Sequence, residues 1–302
     1  MNMKKMEEQE VHFVQSATQK LGQIIVDVIL VLLGVICFIP FWYIVCQSLS
    51  SNEAIMAGKV GLLPKNFQVD SYMYVLKRLP LWKAAGITAL RVVLGLPLGM
   101  FLMVTAAYPL SKGDRFRGRG FYVWFIFFTM LFNGGIIPTY LVVKELNLLN
   151  TIWAMILPCA VNVFNMLLVL SFFRQLPVEL EESAALDGAG HWEILWKIFL
   201  PVSKPVLATV ALFTLVQHWN SWFDGLIYMK ADRYPLQTYL RSIIISFNFS
   251  NLTPLEQMQL SDFNENALKS AQMVIGTIPI LLVYPFLQRY FVSGITLGSV
   301  KG

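Results

Sequence analysis

The chain has 302 residues, of which 56% are hydrophobic and 14% charged, with a net charge of +5. Soluble domains carry about a quarter charged residues, so a soluble globular class is excluded and a membrane-embedded one is implied. The basic residues are not interleaved with a soluble aromatic face, so nucleic acid is not expected as a partner.

Residues 1–20 are polar, with Lys4, Lys5 and Lys20 balanced by Glu7, Glu8 and Glu10. They read as a cytoplasmic N-terminal tail. A cleaved signal peptide is not expected, because the apolar run that follows is too long for an h-region and lacks a small-x-small cleavage site.

Six segments then reach the length of about twenty apolar residues that a bilayer crossing needs. They are 21–47, 84–110, 121–143, 152–173, 205–229 and 271–291. The fold expected is all-α and polytopic, with six transmembrane helices. Charges within them are few: Asp27, Arg91, Asp224, and Arg289 at the last end. Cys37, Cys46 and Cys159 lie scattered in apolar runs. Without CxxC spacing they form neither a zinc site nor a disulfide framework, and they read as small buried packing residues.

Lysine and arginine in short loops mark the cytoplasmic side. Loop 111–120 holds Lys112, Arg115, Arg117 and Arg119, whereas loop 144–151 holds only Lys144. This places 111–120 in the cytoplasm, and by alternation also the N-terminus, segment 174–204 and a C-terminal tail at 292–302. Segments 48–83 and 230–270 then lie outside. The latter carries Lys230, Arg233, Arg241 and Lys269, but long loops count for less in the rule.

Catalytic signatures are missing. There is no HExxH or GxSxG, no Cys/His/Asp cluster at ligand spacing, and His12, His191 and His218 lie in different regions. An enzyme is therefore not expected, and neither is a bound metal or cofactor. The run Gly113 to Arg119 lacks the Lys-Ser/Thr ending of a P-loop. Any ATP-Mg must sit on a separate ATPase subunit.

Polar residues at membrane depth are costly and usually face the bundle interior. The densest group ends span five: Gln217, His218, Trp219, Asn220, Ser221, Trp222 and Asp224. Indoles stack on sugar rings while Gln, Asn and Asp bond hydroxyls, so Gln217, Trp219, Asn220, Trp222 and Asp224 are candidates for a substrate pathway. An interfacial aromatic belt gives the same pattern. Arg91 pairs with Asp224, lines a cavity, or snorkels to the headgroups. Asn133-Gly134-Gly135, followed by Pro138, breaks span three. Asn133 joins the pathway candidates, because open backbone at that depth is tolerated only where protein or a water-filled cavity covers it. A plain kink is the alternative.

Segment 174–204 is neither span nor plain loop. Pro177 and the carboxylates Glu179, Glu181 and Glu182 suit a helix start. Asp187-Gly188 suits its stop. A second helix carries Ile194, Leu195, Ile198 and Phe199 on one face, and Leu200-Pro201 is expected to halt it. Glu182-Ser183-Ala184, Asp187-Gly188-Ala189 and Ile198-x-Leu200-Pro201 together resemble the EAA loop of ABC-importer permeases. That pattern runs Glu-Ala-Ala, three residues, Gly, nine residues, Ile-x-Leu-Pro. Ser183 departs from it, with weakened packing at most the expected consequence.

The wider sequence, from about Trp82 to Phe291, is similar to type I ABC-importer permeases of the carbohydrate-uptake group, which resemble the maltose-system inner-membrane subunits. The run Ala107 to Ser111, Asn133-Gly134-Gly135 with Ile137 to Tyr140, and the ending Gly294 to Gly302 look like its poly- and oligosaccharide branch. The resemblance implies a domain over 82–291, preceded by an additional first helix at 21–47. It implies a heterodimer with a second permease, two cytosolic ATPases and an extracellular solute-binding protein. It makes 174–204 a cytoplasmic coupling helix-turn-helix between spans four and five, with Glu182 as a charge-assisted contact to an ATPase arginine. Its location would be the cell membrane, surrounded by lipid. A permease for another solute class and an ATP-independent carrier remain the alternatives.

Overall fold

A computed structural model describes residues 17–77, 79–246 and 264–298. All regular structure among them is helical. The long helices are α1 (Ala17–Ser48), α4 (Leu79–Ser111) and α15 (Glu265–Gly298), with α8 (Val163–Gln175) and α12 (Lys204–Asn220) between. Shorter pieces connect them: α2 (Asn52–Met56), α3 (Asp70–Leu76), α5 (Arg119–Leu131), α6 (Ile136–Glu145) and α7 (Ile152–Ile156). Next come α9 (Glu179–Leu186), α10 (His191–Ile194) and α11 (Leu200–Val202), then α13 (Phe223–Tyr228) and α14 (Leu236–Ser246).

The central helix is α4. Its buried residues Leu81, Ala84, Thr88, Arg91, Gly95, Gly99, Met103 and Ala107 recur every three or four positions, so they form one stripe along the helix. Helices α8, α12 and α14 pack against it, while α15 packs on α1 and α12. Two glycines allow the close approach. A Cβ on Gly95 would stand 2.6 Å from His218 Nε2, and one on Gly99 2.8 Å from the carbonyl oxygen of Ala160. Small residues at such crossings are how apolar helices associate without a hydrophobic drive between them.

Among the described residues, α1 and α4 are long and apolar enough to cross a membrane as single helices, and up to five crossings result if each bent pair counts as one. The break expected in 121–143 is present, whereas the spans expected without a break at 152–173 and 205–229 are corrected. Helices α5 and α6 meet at 113°, because Asn133 Oδ1 accepts the Gly135 amide at 2.8 Å and Gly135 has φ +86°. That local side-chain bond competes with the helix ladder. The second break, of 49°, falls after Cys159, where Asn162 caps α8. The third stretch stops at Asn220, where Asp224 Oδ1 accepts from Ser221 Oγ and the Gly225 amide.

The helix containing Leu200-Pro201 is not halted there either. It runs through a wide π turn at Leu195–Phe199 into α11, then bends 85° at Ser203 before α12. Pro201 lacks the amide that would bond to Lys197, and its ring crowds that carbonyl; the wide turn absorbs both. The 271–291 segment lies inside α15, which continues to Gly298, so residues 292–298 are helix rather than tail. Residues 1–16 of the expected N-terminal tail, 247–263 of the 230–270 loop, 299–302 and the Arg289 side chain lie outside the description. Cys46 is buried and Cys159 partly so, but Cys37 is exposed on α1, which corrects its expected packing role.

Candidate functional site

The elbow between α8 and α12 is built into the bundle. Helix α9 carries Glu179, Glu181 and Glu182 in its first turn and ends as glycine chemistry dictates. Gly188 takes φ +82°, and the Ala189 amide returns to the Ala184 carbonyl at 3.0 Å, the left-handed stop that glycine favours. The buried side chains Ala184, Ile194, Leu195 and Phe199 belong to one core with Met103 and Ala107 of α4, Val169 and Phe173 of α8, and Val210 of α12. Ile198 and Leu200 pack on its edge. Full burial of one such side chain contributes about 1.5–3 kcal/mol, so the elbow cannot swing without opening a shared core.

Charge holds the elbow from the side. Lys112, just after α4, donates to Glu181 Oε2 at 2.7 Å, with the two side chains 10% and 14% exposed. The Lys112 ammonium also lies 4.0 Å over the Tyr108 ring and 4.1 Å over the Phe199 ring, where ring quadrupoles attract a cation. Burial lowers the Lys112 pKa, with Glu181 opposing the shift. Arg115 pairs with Glu182 at 2.7 Å, both side chains more than half exposed. Beside these pairs lies a cavity of about 400 Å³ lined mainly by Thr105, Tyr108, Phe116, His191, Trp192 and Leu195. His191 stands exposed at the start of α10, its Nδ1 3.4 Å from the Tyr108 hydroxyl.

The tip faces outward. Leu186 is 90% exposed and Trp192 61%, and a side chain on Gly188 would meet nothing within 4 Å. Ser183 is exposed, with its hydroxyl on the Leu180 carbonyl. The weakened packing expected there does not arise within the chain, because Ala184 makes the buried contact. Asp187 and Pro201 are exposed as well.

A second polar node lies deep in the bundle. Arg91 is 1% exposed and forks onto both oxygens of Asp224, Nη1 reaching Oδ1 at 3.2 Å and Nη2 closing on Oδ2. Nη2 also donates to the Met155 carbonyl at 3.0 Å, and Nε to His218 Nδ1 at 3.3 Å. Arginine only donates, so Nδ1 must carry the lone pair. The neutral imidazole then places its proton on Nε2, which has no partner among the described residues. The node joins α4, α7, α12 and α13.

The pathway candidates do not converge. Arg91 and Asp224 satisfy each other. Gln217 accepts from Asn162 at 3.4 Å, and Trp219 Nε1 donates to the Gly276 carbonyl at 3.2 Å. Asn220 and Asn133 are exposed, at the α12 end and the α5–α6 break. Trp222 lies under the guanidinium of Arg241, 3.6 Å from its ring centroid. Lys112, Tyr108 and His218 were not singled out from sequence as structural partners, because their counterparts lie 69, 83 and 127 positions away. Opposite charge flanking one turn-rich loop was the only signal available.

The helix bundle and its lipid-length apolar helices are those of a membrane-embedded protein with an elbow buttressed against its core. Residues 95–297 match the binding-protein-dependent transport system inner membrane component family, and the chain belongs to it. It is similar to Protein LplC of Bacillus subtilis (strain 168), 43% identical over 272 residues that cover 89% of this chain and 91% of that protein. It is also similar to the polygalacturonan/rhamnogalacturonan transport system permease protein YtcP of the same organism, at 39% over 90% of this chain and 96% of that one. Among solved structures it resembles a chain of a bacterial ABC transporter involved in import of the acidic polysaccharide alginate. That chain is 32% identical with a TM-score of 0.83, and the match covers 92% of this chain and 99% of that one. The chain is an ABC-importer permease, and the ATP-independent carrier alternative is set aside.

Proposed function

We propose that this chain is one of two permeases that together form the translocation pathway of an ATP-driven oligosaccharide importer. The sugar arrives on an extracellular binding protein. The similarity to permeases whose names specify polygalacturonan, rhamnogalacturonan and alginate supports a sugar over another solute class. Six crossings give the topology: α1, α4, the bent pair α5–α6, the bent pair α7–α8, α12 and α15. Loop 111–120 and the elbow then face the cytoplasm with both termini.

The observation that carries this reading is the elbow. Its inner face shares a core with three helices, while Leu186, Gly188 and Trp192 stand clear of the chain. A partner that grips that tip moves α4, α8 and α12 with it. The residues assigned to this coupling are Glu182, Ser183, Ala184, Asp187, Gly188, Ala189, Ile198, Leu200 and Pro201. ATP-Mg binds on the two cytosolic ATPases, which close on the tips and drive the permeases between inward- and outward-facing states.

The test is Gly188→Trp in the assembled importer. Open space around Gly188 leaves room for the side chain, while the left-handed φ of +82° costs a non-glycine residue about 1–2 kcal/mol. Membrane insertion is therefore expected to persist while ATPase association and uptake are lost. Gly188→Asn, which adopts that φ with a small side chain, is the control expected to keep uptake. Normal uptake by the tryptophan variant overturns the coupling assignment.

A further inference from the structure

We propose that the cavity between α13, α14 and α15 is a binding site for the carboxylate of an acidic sugar unit, with Arg241 as its anion-binding residue. The inference rests on the oligosaccharide reading above and adds a substrate class and a site to it.

The cavity has a volume of about 470 Å³ and is lined by Trp222, Gln237, Arg241, Gln272 and Thr277 together with apolar side chains. That volume falls in the range of about 300–1,000 Å³ typical of small-molecule sites. Arg241 supplies the only charge on the lining. Among the described residues it has no acid partner: Asp224 is taken by Arg91, and Glu265 by Lys269. Arg241 is exposed, so its guanidinium is open to a ligand, and a carboxylate fits its planar fork through two parallel hydrogen bonds.

The fork is held in place. The Arg241 guanidinium carbon lies 3.6 Å from the Trp222 ring centroid, where the ring quadrupole holds it, and the Arg241 side chain makes no hydrogen bond or ion pair among the described residues. Trp222 is itself fixed to the same helix face, because Thr238, one turn before Arg241, donates its hydroxyl to the Trp222 carbonyl at 2.6 Å. Such pre-ordering removes part of the entropy that binding would otherwise cost.

A second, independent observation points to a ligand. Gln272 is 2% exposed and lines the cavity, yet its Oε1 has no hydrogen-bond partner among the described residues. Buried polar atoms are normally satisfied, and a turn of this amide about its last torsion presents it to a sugar hydroxyl in the cavity. Gln237 and Thr277 add further polar groups on the same wall. Guanidinium for a carboxylate, amides and a hydroxyl for ring hydroxyls, and an apolar floor make the chemistry of a uronic acid.

The test uses the intact complex of both permeases and both ATPases in nanodiscs, without binding protein. It is titrated with radiolabelled trigalacturonate and with the carboxyl-reduced, neutral trisaccharide. Wild type is expected to bind the acid at least about tenfold more tightly, the scale of one charge-assisted hydrogen-bond pair. Arg241→Gln is expected to remove that preference and leave neutral binding unchanged. Arg241→Lys, which keeps the charge but loses the fork, retains part of it and carries the test if the glutamine variant does not assemble. Equal binding of acid and neutral sugar by wild type, or an undiminished preference in both variants, overturns the proposal. Uptake in proteoliposomes supplied with the binding protein separates the two readings. Uptake without any binding at the permease sinks the site alone, whereas a complex that imports neither sugar sinks the oligosaccharide reading as well.

Discussion

Lys112 and Glu181 are joined at 2.7 Å across 69 positions of sequence, in a place where both side chains have lost most of their water. The pair fastens the end of α4 to the first turn of the elbow, and two aromatic rings stabilise the lysine from the other side. Desolvation makes such a pair costly to break from one side and cheap to replace as a whole. Lys112→Ala is therefore expected to destabilise the permease by about 3 kcal/mol, because it strands a buried carboxylate. Lys112→Met combined with Glu181→Leu is expected to recover most of that loss. Thermal unfolding of the purified complex measures both, and an equally unstable double variant would contradict the account.

The neighbouring pair behaves differently. Arg115 and Glu182 are also 2.7 Å apart, but both are more than half exposed. Exposed pairs contribute about 0–1 kcal/mol. Arg115→Ala should leave the unfolding temperature almost unchanged. Glu182→Arg should likewise spare the fold while weakening ATPase association. The exchange of both charges, Arg115→Glu with Glu182→Arg, restores attraction inside the chain and places the wrong sign toward the ATPase. Coupling is expected to stay defective in that double variant. Recovery of ATP-dependent uptake would show that Glu182 acts only as an intramolecular strut.

Deep in the bundle, Arg91 and Asp224 act as a structural clasp. Arg91 makes its bonds to Asp224, the Met155 carbonyl and His218 with 1% of its surface exposed. Removing one partner of a buried pair costs about 3–5 kcal/mol. Asp224→Asn and Arg91→Met should each lower folded yield sharply. In the molecules that do fold, apparent KM for the sugar should be unchanged, because neither side chain is free to meet substrate. A raised KM with normal stability would return both residues to the pathway.

What could be read in the sequence follows the reach of each signal. Apolar length and the Gly188 stop are local, so the helices of the bundle and the α9–α10 turn were legible. The breaks within the spans differ. The break at Asn133-Gly134-Gly135 was legible from its glycines and Pro138, but Asp224 interrupts a helix through side-chain bonds to Ser221 and the Gly225 amide, which hydropathy does not register. Pro201 misled in the opposite sense, because a π turn accommodates it. The site was least legible, since Arg241 reaches Trp222 and Lys112 reaches Glu181 only after distant helices have packed. Polar residues clustered in sequence around Trp219 instead point to separate neighbours.

Gly95 gives a test of how tightly that packing is set. The His218 ring lies against it, with Nε2 2.6 Å and Cε1 2.8 Å from where a Cβ would stand. No Cβ tolerates those distances, and the imidazole has little freedom to retreat because its Nδ1 is engaged by Arg91. Gly95→Ala should therefore push α12 away from α4 or tear His218 from the arginine, at a cost of about 1–3 kcal/mol typical of overpacking. His218→Ala alone opens a void and removes the acceptor for Arg91 Nε, and should also destabilise. The two changes together exchange one volume for the other. Their effects are expected to fall short of the sum by about 1 kcal/mol or more, within the coupling seen between residues in direct contact. Unfolding temperatures of wild type, both single variants and the double variant close this cycle, and strict additivity would mean that the helix crossing is looser than the geometry requires.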